Sequence, residues 1–276
     1  LFVAGRDNSV LSGSGTFVNF HHAFEAGILV SKEMLIRFHF VPLACILLQG
    51  RIALIHSNDN RLTELFAAEN CKENLHAVAM NLSDGILKTK CRAPSTALFR
   101  FIDKASIKSQ DENELDKYSL ILYHFTNFGA SPEVKIYTVP SQLFAFYAYT
   151  QRGDWKFDWE QFVGSYYRST EYKGAKYNEN TRQIDFEKKG QVEMIERGEY
   201  QNWSNLIYSR LLAGETILPY MRSWSENHSF SWKIVAKYLS KIKNMKQEAQ
   251  KKILELADFI IETEGKDRIG KCMVGC

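Results

Sequence analysis

The apolar positions of this chain change period several times, and each change predicts an element. After Ser31-Lys32-Glu33, the residues Met34, Leu35, Phe38, Val41 and Cys45 recur at helical spacing. Arg51 to His56 is a short apolar run between Gly50 and the turn Ser57-Asn58-Asp59-Asn60, which predicts a strand. Leu62, Leu65 and Phe66 open a second helix that continues toward Met80, with Asn60 or Thr63 placed to cap it. A break over Lys88 to Pro94 precedes a third helix, Ser95 to Lys104.

The polar run Lys108 to Lys117 reads as a surface connection. It leads into the clearest β pattern, Tyr118 to Phe125, then a turn over Asn127 to Pro132, then Val134 to Val139; the two runs predict a hairpin with a long loop. Pro140-Ser141 starts another helix, because a proline costs little at a helix start. From Gln151 aromatics crowd in, and Gln183 to Tyr200 is polar and loop-like. Beyond Trp203 the chain reads as helix. Over Ser231 to Glu264, Val235, Tyr238, Ile242, Met245, Ala249, Ile253, Leu256 and Ile260 form one stripe of about eight turns, which needs partner helices. The expected class is α+β: a mixed α/β region over residues 1–150, followed by an all-α helical bundle over 151–276.

Composition narrows the class without naming a function. Of 276 residues, 45% are hydrophobic and 24% charged, so the chain can bury a real core. A net charge of +3 is compatible with nucleic acid but does not argue for it. Apolar runs such as Val41 to Leu48, with Pro42 inside, are too short to span a bilayer, so no membrane partner is expected. The start Leu1-Phe2-Val3 has no basic n-region and reads as part of a longer or processed protein. Five scattered cysteines (Cys45, Cys71, Cys91, Cys272, Cys276) read as reduced thiols of a cytoplasmic protein.

The stretch Leu11 to Gly27, LSGSGTFVNFHHAFEAG, concentrates the candidate chemistry. It lacks the lysine of a Walker loop and the glycine spacing of a dinucleotide fold, so it reads as a small-residue turn or a close-approach loop. His21, His22 and Glu25, with His56 and Asp59, are the candidates for a metal-dependent hydrolase, although no H-E-x-x-H pattern supports it. No nucleophile elbow is present, so the chain does not read as an enzyme and no cofactor is expected.

Two further features suit nucleic acid. Trp155 to Tyr177 interleaves aromatics with Arg152, Lys156, Arg168 and Lys173; these rings either stack bases or fill a helical core beneath snorkelling cations. Lys233, Lys237 and Lys241 follow one another at i, i+4, and from Ser229 onward ten basic side chains face six acidic ones. Such a ridge is either a solvated face or a seat for a phosphate backbone.

Several stretches in order resemble a known family: GSGTFVNFHHAFEAG, VPLACILLQGRIALIHSND, YSLILYHFTNFGASPEVKIYTVPSQLFAF, NLIYSRLL and FSWKIVAKYLSKIKNMKQEAQKKILELADFIIE. Together they resemble the large subunit of type I CRISPR Cascade complexes, in the branch named for a CXXC–CXXC motif, without its N-terminal part. The sequence contains no CxxC.

The resemblance implies a non-catalytic subunit that helps recognise the motif flanking a DNA target, while sequence choice rests on guide pairing. It implies guide RNA (crRNA), target double-stranded DNA, other Cascade backbone and small subunits, and a helicase-nuclease or transposition effector as partners. On that reading Ser12, Ser14, Asn19, His21 and His22 belong to a structured loop near guide or target. Arg152, Lys156, Arg168, Lys173, Lys233, Lys237 and Lys241 would then meet strand backbones. A separately made helical product starting at Met194 or Met221 is a further expectation.

Overall fold

A computed structural model describes residues 1–4, 28–82, 87–108, 115–126, 133–188 and 190–264. Strands β1 (Phe2–Ala4) and β2 (Ile28–Val30) pair antiparallel. Helix α1 (Lys32–Phe38) begins where the Ser31 hydroxyl accepts from the Met34 N–H at 3.1 Å. It does not run on to Cys45. Pro42 carries no N–H, and Val41–Ala44 closes into a 3-10 turn instead.

The apolar residues just beyond the expected helix supply a strand. β3 (Ile46–Leu48) and β4 (Arg51–Ser57) form a hairpin over Gln49-Gly50, at φ 52° and 74°. Positive φ at both turn residues matches the twist of the flanking strands, and Gly50 reaches it without strain. Helix α2 (Asn60–Ala79) is capped by Asp59, not by Asn60 or Thr63: the Asp59 carboxylate accepts from the Arg61 N–H at 2.8 Å. The Thr63 hydroxyl accepts from the Ser57 N–H at 2.9 Å.

β5 (Leu87–Lys88), α3 (Pro94–Lys108), β6 (Leu120–Thr126), β7 (Glu133–Val139) and α4 (Ser141–Thr150) follow. The five-stranded sheet has the order β5-β3-β4-β6-β7, parallel between β3 and β5 and antiparallel elsewhere. The expected β6–β7 hairpin is present, with Leu120 opposite Val139 and Phe125 opposite Val134. Its connecting turn lies outside the described residues. Ala53, Ile55, Leu120, Leu122 and Val139 are buried and join one core with α3 and α4. Helix α4 is buried from Leu143 to Ala148, as an element apolar all round must be.

The second half departs from the all-helical expectation. After α5 (Lys156–Gly164) come β8 (Tyr167–Arg168), β9 (Lys176–Asn178), β10 (Gln183–Lys188), β11 (Gln191–Ile195), α6 (Arg197–Tyr200) and β12 (Ser204–Asn205). β9, β10 and β11 form an antiparallel sheet, and β10 and β11 lie where a polar loop was expected. Its outer side chains face water, so charges dilute the period-two signal while backbone pairing holds the strands.

Then come α7 (Leu206–Leu212), α8 (Leu218–Ser225), α9 (Trp232–Lys241) and α10 (Gln247–Glu264). The single stripe expected over Ser231 to Glu264 is thus two helices, parted near Asn244 at φ 53°. α9 buries Ile234, Tyr238 and Leu239, whereas Leu256 and Phe259 of α10 are exposed. The class is α+β, helices with small sheets. The core runs without a break across residue 150: the Phe146 ring meets Trp159 and Tyr238 edge-on at 5.6 and 5.5 Å. No helix among the described residues is long and apolar enough to cross a membrane.

Candidate nucleic-acid interface

The edge position of β5 creates a groove. Because β5 pairs with β3, the segment after it passes the Gln49-Gly50 turn, with the Thr89 N–H donating to the Leu47 carbonyl at 3.0 Å. Two contacts hold the next residues: Gln49 Nε2 donates to the Arg92 carbonyl at 2.6 Å, and the Arg92 N–H to the Asn202 carbonyl at 2.7 Å. The opposite wall is the β8–β12 ladder, in which Arg168 faces Ser204.

Between the walls lies an open groove of about 680 Å³. Lys88, Lys90, Arg92 and Arg168 line it, together with the hydroxyl-bearing Thr89, Ser169, Thr170 and Ser204. Among the described residues lining it, none is acidic. Glu171 meets Arg92 at 3.0 Å, and Ser169 Oγ accepts from the same nitrogen at 3.2 Å. The Arg168 guanidinium donates to the Ser165 and Tyr167 carbonyls, each at 2.7 Å. Lys88 and Lys90 are exposed and have no ion-pair partner among the described residues. Cations, hydroxyls and backbone at a concave surface are the chemistry that holds phosphate oxygens.

Of the sequence-predicted residues, Arg168 belongs to this groove. Lys173 is exposed nearby in sequence, in the turn after β8. Arg152 donates to the Ser106 carbonyl at 2.9 Å, and Lys156 approaches Glu160 at 3.8 Å. The lysine ridge of α9 lies on the protein's own surface groups. Lys233 and Lys237 sit over the rings of Trp155 and Tyr149, at 5.1 and 4.5 Å, and those two rings stack on each other at 4.6 Å. Lys241 pairs with Asp116 at 2.5 Å. Ser12, Ser14, Asn19, His21, His22 and Glu25 lie outside the described residues.

The aromatics of 155–177 divide. Trp159, Phe162 and Tyr167 are buried in the core, Trp155 packs on Tyr149, and Phe157 is 45% exposed beneath Arg182. His56 is exposed, with Nδ1 3.5 Å from the Thr63 hydroxyl. Asp59 is taken up by its cap and by the Arg61 guanidinium, at 2.7 Å, which holds its carboxyl below the usual range. No group of three His, Cys, Asp or Glu side chains that could hold a metal ion occurs among the described residues.

Sequence reasoning passed over Lys88, Lys90 and Arg92, which it read as a break. The signal was there: in KTKCR the cations recur at every second position, and an extended segment sends alternate side chains to one side. No protein-family model matches the chain, and neither a curated protein nor a solved structure matches it.

Proposed function

We propose that this chain is a non-catalytic, nucleic-acid-binding subunit of an RNA-guided complex, in the manner of the Cascade large subunit its sequence resembles. The observation that carries the nucleic-acid part is the groove of Lys88, Lys90, Arg92 and Arg168, with no acid among its described lining residues. The ordered sequence resemblance carries the Cascade part. In this reading the groove seats a strand's backbone and the partner RNA supplies sequence choice. Guide RNA and target DNA are the ligands, with the other Cascade subunits and an effector as protein partners.

Two measurements test it. Binding of a fluorescent oligonucleotide, followed over a salt series, should fall with a log–log slope of about −2 to −3 for three to four phosphate contacts on a single strand. K88E/K90E should flatten that slope by about 1 to 2 and weaken binding. K233A/K237A should leave it nearly unchanged, because those ammonium groups lie on Trp155 and Tyr149. An unaltered slope in K88E/K90E would remove the groove from the reading. Sequencing of small RNA co-purified with the native protein tests the Cascade role: repeat-derived guides support it, and protein free of RNA overturns it.

A further inference from the structure

The apolar stripe over Ser231 to Glu264 calls for partner helices, and only its first half has them. α9 joins the core, but among the described residues α10 gives it no side chain: the last members along the chain are Tyr238 and the half-buried Ile242. Gln250 Nε2 donates to the Ala236 carbonyl at 3.3 Å and ties the start of α10 to α9. Farther along, Ala257 and Ile260 are half-buried, while Ile253, Leu254, Leu256, Phe259 and Ile261 stand exposed, Leu256 at 58% and Phe259 at 60%. Ala249, Ile253, Leu256 and Ile260 follow at intervals of four, three and four, the seam spacing of paired helices. A single exposed leucine needs no explanation, but five apolar side chains on one 18-residue helix form a patch of the kind that marks an interface.

Charge along α10 selects what covers it. Lys251 and Lys252 precede Ile253, whereas Glu255, Asp258 and Glu262 follow it. The last turn holds Glu262 and no basic side chain, against the helix macrodipole, whose C-terminal end favours cations. Lys251 approaches Glu255 at 3.7 Å, but Lys252 and Glu262 have no ion-pair partner among the described residues. Both border the seam: Lys252 lies one turn before Leu256, and Glu262 one turn after Phe259. A helix basic toward its start and acidic toward its end complements itself when run in reverse. A parallel copy would set lysine on lysine and glutamate on glutamate.

We propose that α10 pairs antiparallel with α10 of a second copy of this chain, about a two-fold axis at Leu256. Leu256 then meets its own counterpart, while Ile253 and Phe259, three positions to either side, meet each other. Lys252 lies four positions before the axis and Glu262 six after it. That offset of two residues is about 3 Å along the helix, which a lysine side chain spans. The symmetry makes the ion pair twice. A helix of 18 residues is about 27 Å long, so the contact belongs with small, reversible interfaces of under about 1,200 Å². It needs neither the basic groove nor a nucleic acid.

The test is sedimentation velocity of the full chain from about 5 to about 100 µM, across which a weak pair passes from monomer to dimer. Leu256→Glu should abolish that passage while melting within about 2 °C of the wild type at the lowest concentration, because the side chain is exposed. K252E and E262K should each weaken the dimer about tenfold, since each sets like charges together twice, and an equimolar mixture of the two should recover it. K88E/K90E should dimerise as the wild type does. A chain that stays monomeric at about 100 µM overturns the proposal and leaves α10 for a different protein. So does a dimer that survives L256E, that is indifferent to K252E or E262K, or that is lost in K88E/K90E.

Discussion

Asp103 makes the stability of this protein depend on pH in a direction opposite to that of most carboxylates. Its carboxyl is buried beside Tyr147, and burial pushes its pKa from 3.8 up to about 7, against smaller opposing pulls from the Tyr147 hydroxyl, Lys156 and Arg100. Below pH 3.8 both folded and unfolded chains hold the proton, and the group is neutral to stability. Between 3.8 and about 7 the folded chain holds it and the unfolded chain does not. Unfolding then releases a proton, so each pH unit lowers stability by about 1.4 kcal/mol. Above pH 7 both states are ionised and the loss is complete, at most about 4 kcal/mol.

Asp103→Asn removes the titration. Urea unfolding of both proteins from pH 5 to pH 8 cancels every other titrating group in the difference. That difference should shift toward the variant by about 2 to 3 kcal/mol across this range, since two pH units lie between pH 5 and the folded pKa. A difference that stays flat with pH, or shifts toward the wild type, would refute the assignment of a protonated, buried Asp103.

Asn205 is buried and does three jobs: its Oδ1 accepts from the Ile207 and Tyr208 N–H groups at 3.0 and 3.2 Å, and its Nδ2 donates to the Val163 carbonyl at 3.0 Å. Asn205→Ala loses the cap of α7 and one of two bonds to that carbonyl, which keeps the Tyr166 N–H, so it should cost about 1 to 3 kcal/mol, read as a fall in melting temperature. Gly164→Ala forces a methyl against the Tyr177 ring, whose hydroxyl is pinned to Gln161. A loss of about 1 to 3 kcal/mol is expected, largely relieved in the G164A/Y177A double variant by a double-mutant cycle.

Much of the first half was legible because its elements are long or clearly punctuated. β6 and β7 carry enough alternation to announce a hairpin, and Pro140 marks the start of α4. The Ser31 cap likewise fixes where α1 begins. Of the β3–β4 hairpin only β4 was legible, as the strand read over Arg51 to His56; β3 is three residues that run on from the apolar Val41–Ala44 turn and carry no alternation of their own. The β9–β11 sheet was hidden for the reason that its side chains mostly face solvent and carry charge.

What the amino-acid order settles alone is local: periods, caps, turns, and the spacing of like charges. Lys233, Lys237 and Lys241 are neighbours on any helix, and Lys88, Lys90 and Arg92 share a side of any extended segment. Which of these sets faces an open groove is decided elsewhere in the chain. Tyr149, Trp155 and Asp116 engage the first set. The second is walled by Arg168 and Ser204, brought close through the β8–β12 pair. Asp103 shows the same division: its place on α3 is local, but its proton is held by burial against residues from Tyr147 to Tyr208, far along the chain. Charge and hydrogen bonding act over a few ångströms of space whatever the distance along the chain, so only the folded arrangement fixes what each group can do.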